Sequence, residues 1–338
     1  MNTDWDQMMH LAPRRYVCYR ATPPLEITGD LTKPAWQLAP WMEAFVDIEG
    51  DPRRRPRFLS RVKLLWDDNY LYVGADLEEP HLWATQTEKN SEIAQDNVFE
   101  IFIDPDGDNH HYYEFNINVL NTIRELTLPK PYKDQGDPVL GTNLLGLKSA
   151  VKANGTINDP WDTDRGWTIE VALPWSGLAV YNPRRATPPQ RGDQWRLNFA
   201  REQWQHLVEY GAYRKVPGAK QENWVWSPQG VVDMHRPEKW GVVQFSTLPA
   251  GGDDRFIPDP SQPARHLLMR LYYLQQAFLL REGRYFTDEE LIDVLDGDSE
   301  ILTDYHHTDR GYEIWVWAHN SQGGRHKLGI NQDSRILK

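Results

Sequence analysis

Short runs in which apolar and polar residues alternate recur along residues 16–247, with turn-forming Asp, Asn, Gly and Pro between them. In RVKLLWDDNYLYVGADLEEP, Val62, Leu64 and Trp66 share one side. Beyond the Asp67-Asp68-Asn69 turn, Leu71, Val73, Ala75 and Leu77 continue an apolar face. VFEIFID sets Phe99, Ile101 and Ile103 against Val98, Glu100, Phe102 and Asp104. HYYEFNINV sets Tyr113, Phe115, Ile117 and Val119 against Tyr112, Glu114, Asn116 and Asn118. GWTIEVALPW and QWRLNFAR behave alike: Trp167, Ile169, Val171 and Leu173 oppose Thr168 and Glu170, and Trp195, Leu197 and Phe199 oppose Arg196 and Asn198. Period-two alternation marks half-buried strands, and many short strands separated by turn signals predict an antiparallel β-sandwich. The phase is firm, because a one-residue slip would turn each apolar set to water.

The pattern changes at residue 248. LPAGGDDRFIPDPSQP (248–263) has the Gly, Pro and Asp content of a linker. ARHLLMRLYYLQQAFLLREG then predicts a helix with Ser261 as N-cap, Pro263 in its first turn and Gly283 as its stop. Thr287 and Glu290 form a capping box ahead of Leu291, Ile292 and Val294. YEIWVWAHNSQGGRHKLGINQ predicts a hairpin around Gly323-Gly324. The first helix is apolar nearly all round, so it is expected to be buried, most simply against the sandwich. The expected organisation is an N-terminal arm (1–15), a sandwich (16–247), a linker (248–263) and a helix-plus-hairpin extension (264–338). The fold class is mainly β, with a small α+β C-terminal extension.

If the strands lie in one sheet, the face opposite the core collects Lys63, Tyr72, Asp76, Glu100, Tyr112, Glu114, Asn116, Asn118, Glu170, Arg196 and Asn198. Amides, phenols and carboxylates with few cations form fixed hydrogen-bond arrays, and they suit hydroxyl-rich ligands because they accept and donate in paired geometry. Composition points the same way. The 15 Trp, 15 Tyr and 10 Phe exceed what a core demands, and a Trp ring offers a flat apolar surface plus a donor to a sugar ring. The aromatic surplus is thus a pointer to carbohydrate, while each ring can equally fill a β-core.

Other classes recede. The 37 basic and 49 acidic residues leave a net charge of −12, which disfavours nucleic acid as a partner. The run Arg53, Arg54, Arg55 and Arg57 is broken by Pro52 and Pro56 and reads as a solvated loop. No apolar stretch approaches the ~18 residues of a membrane span. Cys18 is the only cysteine, so an intrachain disulfide and Cys-based zinc sites are excluded. The N-terminus shows no apolar signal core, which leads to an expectation of a cytoplasmic location as written, or export if the N-terminus has been trimmed.

Three further clusters carry candidate chemistry. Asp104, Asp106 and Asp108, with His110 and His111 beside them, present hard oxygen ligands at alternate positions. Such a set suits calcium as a structural ion, though the spacing is not that of an EF-hand and Asp-Gly pairs also make hairpin turns. No cofactor is required. Glu100 and Glu114 on neighbouring strands raise glycoside hydrolysis as an alternative, since that chemistry uses two carboxylates. In WSPQGVVDMHRPEKWG, Asp233, His235, Arg236 and Glu238 gather, but Trp226, Pro228, Pro237 and Trp240 read as a rigid strand-to-strand crossing, with His235 in a structural hydrogen bond. No phosphate loop, Ser/His/Asp arrangement or HExxH motif occurs. A third alternative is an assembly protein that uses its C-terminal extension.

VKLLWDDNYLYVGADLEEP, DNVFEIFIDPDGDNHHYYEFNINVLNT and ENWVWSPQGVVDMHRPEKWGVVQFS, in that order and with GWTIEVALPW and GDQWRLNFAR between them, resemble the family 9 carbohydrate-binding modules. The resemblance is nearest to the stand-alone bacterial carbohydrate-binding family 9-like proteins, and it extends over residues 16–246. It implies a non-catalytic sandwich that serves polysaccharide breakdown, with a mono- or oligosaccharide as its partner and structural calcium in some members. In the family, two tryptophans clamp a terminal sugar ring beside charged and amide groups. Glu100 matches the acidic residue of that site and Asn116 matches a position held by Arg. Ala94 and Met234 stand at the two clamp positions, and Ala200 and Val231 at the amide positions. Trp83, Trp224, Trp226 and Tyr112 are the rings left to supply stacking.

Overall fold

The computed structural model describes residues 3–183, 187–295, 302–309 and 311–338. The sandwich strands are β1 Arg15–Arg20, β2 Val46–Asp47, β3 Ser60–Trp66, β4 Tyr70–Glu78, β5 Val98–Asp104, β6 Tyr112–Asn118, β7 Ile123–Leu128, β8 Val139–Leu140, β9 Lys148–Asn154, β10 Gly166–Pro174, β11 Gln194–Gln203, β12 His206–Glu209, β13 Ala212–Lys215, β14 Glu222–Val225 and β15 Gly241–Pro249. Their order along one hydrogen-bonded path is β8-β7-β6-β5-β11-β15-β1-β3-β4-β10-β9, with β14 paired to β11 and β2 to β14, while β12 and β13 form a separate hairpin. Pairing is antiparallel except at β1, which runs parallel to both β15 and β3. Parallel neighbours need long crossovers, and β1 has them because its partner β15 lies at the other end of the sandwich sequence.

The path curls on itself, and its two halves enclose the predicted apolar sets. Val62, Leu64, Trp66, Leu71, Val73, Phe99, Ile101, Tyr113, Phe115, Trp167, Ile169, Trp195 and Phe199 all enter one core. Edge-on contacts of Trp175 with Trp66 and Trp195, with ring centroids 6.2 and 5.6 Å apart, tie the halves together. Such geometry suits the aromatic quadrupole. At Gly241 a Cβ would stand 2.1 Å from the Trp226 ring, so only glycine lets β15 pass there.

Because the sheet curls, the polar positions do not share one face. Lys63, Tyr72, Asp76 and Glu170 lie on the outside of the half holding β3, β4 and β10, and Glu100, Tyr112, Glu114, Asn116, Asn118, Arg196 and Asn198 on the outside of the half holding β5, β6 and β11. Neither outside is bare. Leu31, Trp36 and Ala39 pack on Tyr72 and Ala172 over the first, and Met234 and Trp240 pack on Phe102, Tyr112 and Ala200 over the second.

Three short helices, α1 Asp4–Met8, α2 Pro34–Leu38 and α3 Trp175–Leu178, precede the C-terminal part, which contains α4, spanning Gln262–Glu282 with Ser261 at its N-cap position and Gly283 as C-cap in the left-handed region (φ 71°). The Thr287–Glu290 capping box starts the helix Asp288–Leu295: Thr287 N donates to Glu290 Oε2 (2.8 Å) and Glu290 N to Thr287 Oγ1 (3.3 Å). Four strands, Leu302–Thr308, Gly311–His319, Arg325–Asn331 and Ile336–Leu337, form a second sheet, with the hairpin at Gly323-Gly324. α4 buries Leu268, Tyr272 and Phe278 in a core shared with Ile314, Val316 and Leu328 of that sheet and with Trp5 and Met8. Its principal apolar partner is therefore this second sheet rather than the sandwich. Its link to the sandwich is polar: the Tyr272 hydroxyl donates to Asp134, and Tyr273 exchanges hydrogen bonds with Arg236 and Glu238. Among the described residues, no helix is long and apolar enough to cross a membrane.

Candidate functional site

Alternation along β5, β6, β7 and β11 turns Glu100, Glu114, Asn116, Arg124 and Glu202 to the same outer face. Glu100 stands opposite Asn116, and Asn116 opposite Arg124. Glu202 stands opposite Val98 on one side and Asn223 on the other. The group is shut in but incompletely bonded. Asn116 Nδ2 donates to Glu114 Oε1 (2.8 Å) and Arg124 Nη1 pairs with Glu92 Oε2 (3.0 Å). Glu114 Oε2, Asn116 Oδ1, Arg124 Nε, Glu202 Oε2 and Asn223 Oδ1 are all buried without a hydrogen bond.

Two carboxylates in this patch, Glu100 and Glu202, resist ionisation. Burial, then the charges of Glu202 and Glu114, push the Glu100 carboxyl well above its ordinary range, against the pull of Arg124. Glu202 is pushed up to about 7, chiefly by burial, with a Gln221 hydrogen bond opposing. A patch of this kind offers acceptors of tunable charge and one guanidinium donor, a set that matches hydroxyls able to donate and accept in turn.

Two rings border the patch. Trp204 is half-buried and donates from Nε1 to the Ala94 carbonyl (2.9 Å), which Gln221 Nε2 also approaches (3.4 Å). Lys215 Nζ lies 3.6 Å from the centre of its ring. Across the patch, Tyr132 is 44% exposed and packs edge-on against His235 at 4.4 Å. His235 itself places Nδ1 3.0 Å from the Tyr112 hydroxyl and Nε2 3.7 Å from Glu114 Oε2.

Comparison with known proteins agrees with this architecture. The family model described as carbohydrate family 9 binding domain-like matches residues 27–190. Residues 27–190 are thus similar to the family 9 carbohydrate-binding domains. Exoglucanase XynX of Acetivibrio thermocellus is 29% identical over 123 residues, 36% of this chain and 9% of that protein. Endo-1,4-beta-xylanase A of Thermoanaerobacterium saccharolyticum is 29% identical over 125 residues, again 36% and 9%. This chain thus spans about a tenth of the length of those relatives. A solved structure from Bacteroides uniformis ATCC 8492, described as a candidate carbohydrate-binding protein, shares the fold with a TM-score of 0.51 at 15% identity, over 70% of this chain and all of that one.

Within this family 9-like frame the expected site residues separate into two groups. Glu100, Glu114 and Asn116 are brought together on the patch. The rest hold the fold. Asn118 donates to Asp96 Oδ2 (3.0 Å) and the Gln86 carbonyl, and accepts from Leu120 N and Thr122 N. Asn198 clasps Ser227 through both amide atoms (3.0 and 2.9 Å). Arg196 donates to the Trp240 carbonyl (2.9 Å) and Gln262 beneath the extension. Tyr112 is enclosed with Phe102 and Trp240, and Trp226 is wholly buried in the main core. Neither ring reaches the surface. Trp83 is buried and stacks on His206, with centroids 6.2 Å apart, and Trp224 is buried in the main core. The rings that do border the patch, Trp204 and Tyr132, were not among the residues the sequence nominated.

Asp104, Asp106 and Asp108 converge, with one carboxylate oxygen of each lying within 4.8 Å of the others. Their oxygens are engaged, however. Asp104 accepts from Gly107 N and Asn109 N (both 2.9 Å), and Asp108 from His110 N (2.9 Å) and from Arg335 Nε (3.0 Å). Calcium takes six to eight oxygens, and a guanidinium already occupies part of this set. The loop fits a self-bonded turn anchored to the C-terminal sheet better than a cation site.

Proposed function

We propose that the sandwich binds saccharide without catalysis, in the service of polysaccharide breakdown, at the patch formed by Glu100, Glu114, Asn116, Arg124 and Glu202. The observation that carries this reading is the five buried polar atoms on that patch and its Asn223 neighbour that no protein group satisfies. Each costs about 1–3 kcal/mol if left bare, and hydroxyls of a sugar would satisfy donor and acceptors together. Trp204 and Tyr132 replace the clamp: one is hydrogen-bonded to Ala94, and the other sits against His235, the neighbour of Met234. The match of residues 27–190 to a carbohydrate-binding family model and the polysaccharide-degrading names of the relatives support the ligand class.

Hydrolysis by Glu100 and Glu114 fits less well. A glycosidase holds its two carboxylates on either side of the scissile bond. Here both rise from one sheet face as diagonal neighbours on β5 and β6. The test is a calorimetric glycan panel on the full chain. A hit that disappears in Glu100→Ala, with unfolding still cooperative, is the expected result. Absence of any hit, or product released from chromogenic glycosides, would refute the reading.

A further inference from the structure

A cleft of about 350 Å³ lies between the sandwich and the C-terminal part, and it joins a second of about 440 Å³ through Arg196, Asp259, Gln262 and Arg265. The first volume falls at the lower end of small-molecule sites. Its charged lining is unbalanced in a protein of net charge −12. Arg15, Arg196, Lys239 and Arg265 face it, with His10 and His266, against Glu238 and Asp259. Glu238 gives one oxygen to the Tyr273 hydroxyl and lies 3.7 Å from Lys133, while Asp259 accepts from Ser261 N and Oγ at 2.9 and 2.8 Å.

Two of the cations are more than nine-tenths buried, Arg196 at 8% exposure and Lys239 at 3%. Their hydrogen bonds go to neutral groups: Arg196 to the Trp240 carbonyl and Gln262 Oε1, and Lys239 to the Leu11 carbonyl (2.8 Å). Among the described residues, neither has a carboxylate within ion-pair distance. Asp104, Asp259 and Glu238 act on Arg196, and Glu238 on Lys239, only from beyond that distance; a buried charge so incompletely compensated is costly, and an entering anion would supply the close contact. Two more features favour the same occupant. The first turn of α4, a 21-residue helix, opens on the cleft with Gln262 and Arg265 and adds the positive end of its dipole. Trp5 Nε1, on a side chain that lines the cleft, is a buried donor with no acceptor.

Apolar surface comes from the rings of Trp5 and Phe256. Trp5 lies 4.8 Å from His266, and the Arg15 guanidinium 5.3 Å from the Phe256 ring. We propose that this cleft binds a carboxylate-bearing monosaccharide, a uronate, with its acid group between Arg196 and Lys239 and its ring against Trp5 and Phe256. The anion site stands on the cleft alone, and the choice of a sugar rests on the saccharide reading above.

Calorimetry on the full chain with sodium glucuronate, glucose and sodium acetate tests it. Glucuronate is expected to bind at least about tenfold more tightly than either other probe, in line with the gain from a charge-assisted contact. Lys239→Met keeps the stem and removes the charge, and Arg15→Glu reverses an exposed rim charge without touching the core. Each should weaken glucuronate by about tenfold or more, whereas Glu100→Ala should leave it unchanged. Glucuronate binding no tighter than glucose, or equally tight in both cleft variants, overturns the proposal. Acetate binding as tightly as glucuronate overturns the sugar assignment. Loss of glucuronate binding in Glu100→Ala with both cleft variants intact would place the ligand on the outer patch and refute the cleft while sparing the patch.

Discussion

Glu202→Gln should stabilise the protein at neutral and alkaline pH, and the size of the gain follows from the patch. Burial raises the Glu202 carboxyl from 4.5 to about 7. At 1.36 kcal/mol per pH unit, that rise corresponds to about 3 kcal/mol of native-state penalty for the ionised form. The sign is set by linkage. The native state holds the proton more tightly than the unfolded chain, so this contribution is fully favourable below pH 4.5 and is lost as pH climbs through about 7. Urea unfolding from pH 4 to 8.5 at fixed ionic strength should show wild-type stability falling across that window. Glu202→Gln should fall less steeply and exceed wild type at the alkaline end by up to about 3 kcal/mol. Glu100, raised in the same direction by burial and by Glu202, leaves a residual slope that Glu100→Gln in the same chain should remove. Parallel pH profiles for wild type and Glu202→Gln would refute the premise that this carboxylate is held against its charge.

Three further outcomes are expected. Glu170 accepts from Thr28 N, Gly29 N, Lys33 Nζ and Trp36 Nε1, all at 2.6–2.7 Å; Glu170→Ala strands these donors and should cost about 3–5 kcal/mol in chemical unfolding, while saccharide affinity per folded molecule stays the same. Tyr273→Phe removes a hydroxyl that accepts from Arg236 and donates to Glu238; a loss of about 1.5–3 kcal/mol is expected, read as faster amide exchange in α4 but not in β5 or β6. Trp204→Ala should weaken saccharide binding by about 2–10-fold, the range of an aromatic contact worth roughly 0.5–1.5 kcal/mol, and unchanged affinity would remove Trp204 from the site.

Alternation made the interior legible. Every inward set from Val62 to Phe199 lies in the main core, and Gly283 and Thr287 cap where local rules place them, whereas Ser261 holds the N-cap position without a side-chain cap bond, its hydroxyl donating to Asp259 instead. Period two says which residues share a strand face, but not what lies over that face. Asn198 and Asn118 have the sequence look of ligand-binding amides, yet chain from 227 in one case and 86–96 in the other lies on them and uses their valences. The grouping of Glu170 with Glu100 failed because a sheet that curls has two outsides, and curvature leaves no mark in a hydrophobic pattern. Glu202 and Trp204 escaped notice for a related reason: they follow the alternating run QWRLNFAR, Glu202 where β11 continues past the residues that reveal it and Trp204 just beyond the strand's end. Arg124 was readable only through its pairing with Asn116.

The two outer faces solve the same problem in opposite ways, and the contrast bears on function. Over Glu170 the chain supplies four donor groups, one of them on the covering Trp36, so a buried carboxylate is fully neutralised by the fold. Around Glu202 the chain had equal opportunity, since Gln221, Lys215 and Asn223 are all at hand, yet three carboxylates are crowded together and polar atoms on four residues of the patch are left open. Selection for stability alone would have replaced one of these acids by an amide or an apolar group, because such changes gain energy at little structural cost. Their coexistence marks the patch as the place where the protein's hydrogen bonding is completed from outside. The same argument separates the cleft beneath α4, where Arg196 and Lys239 are buried and, among the described residues, bonded only to neutral groups. One face therefore awaits donors and the other an acceptor, so ligands of different charge should distinguish them.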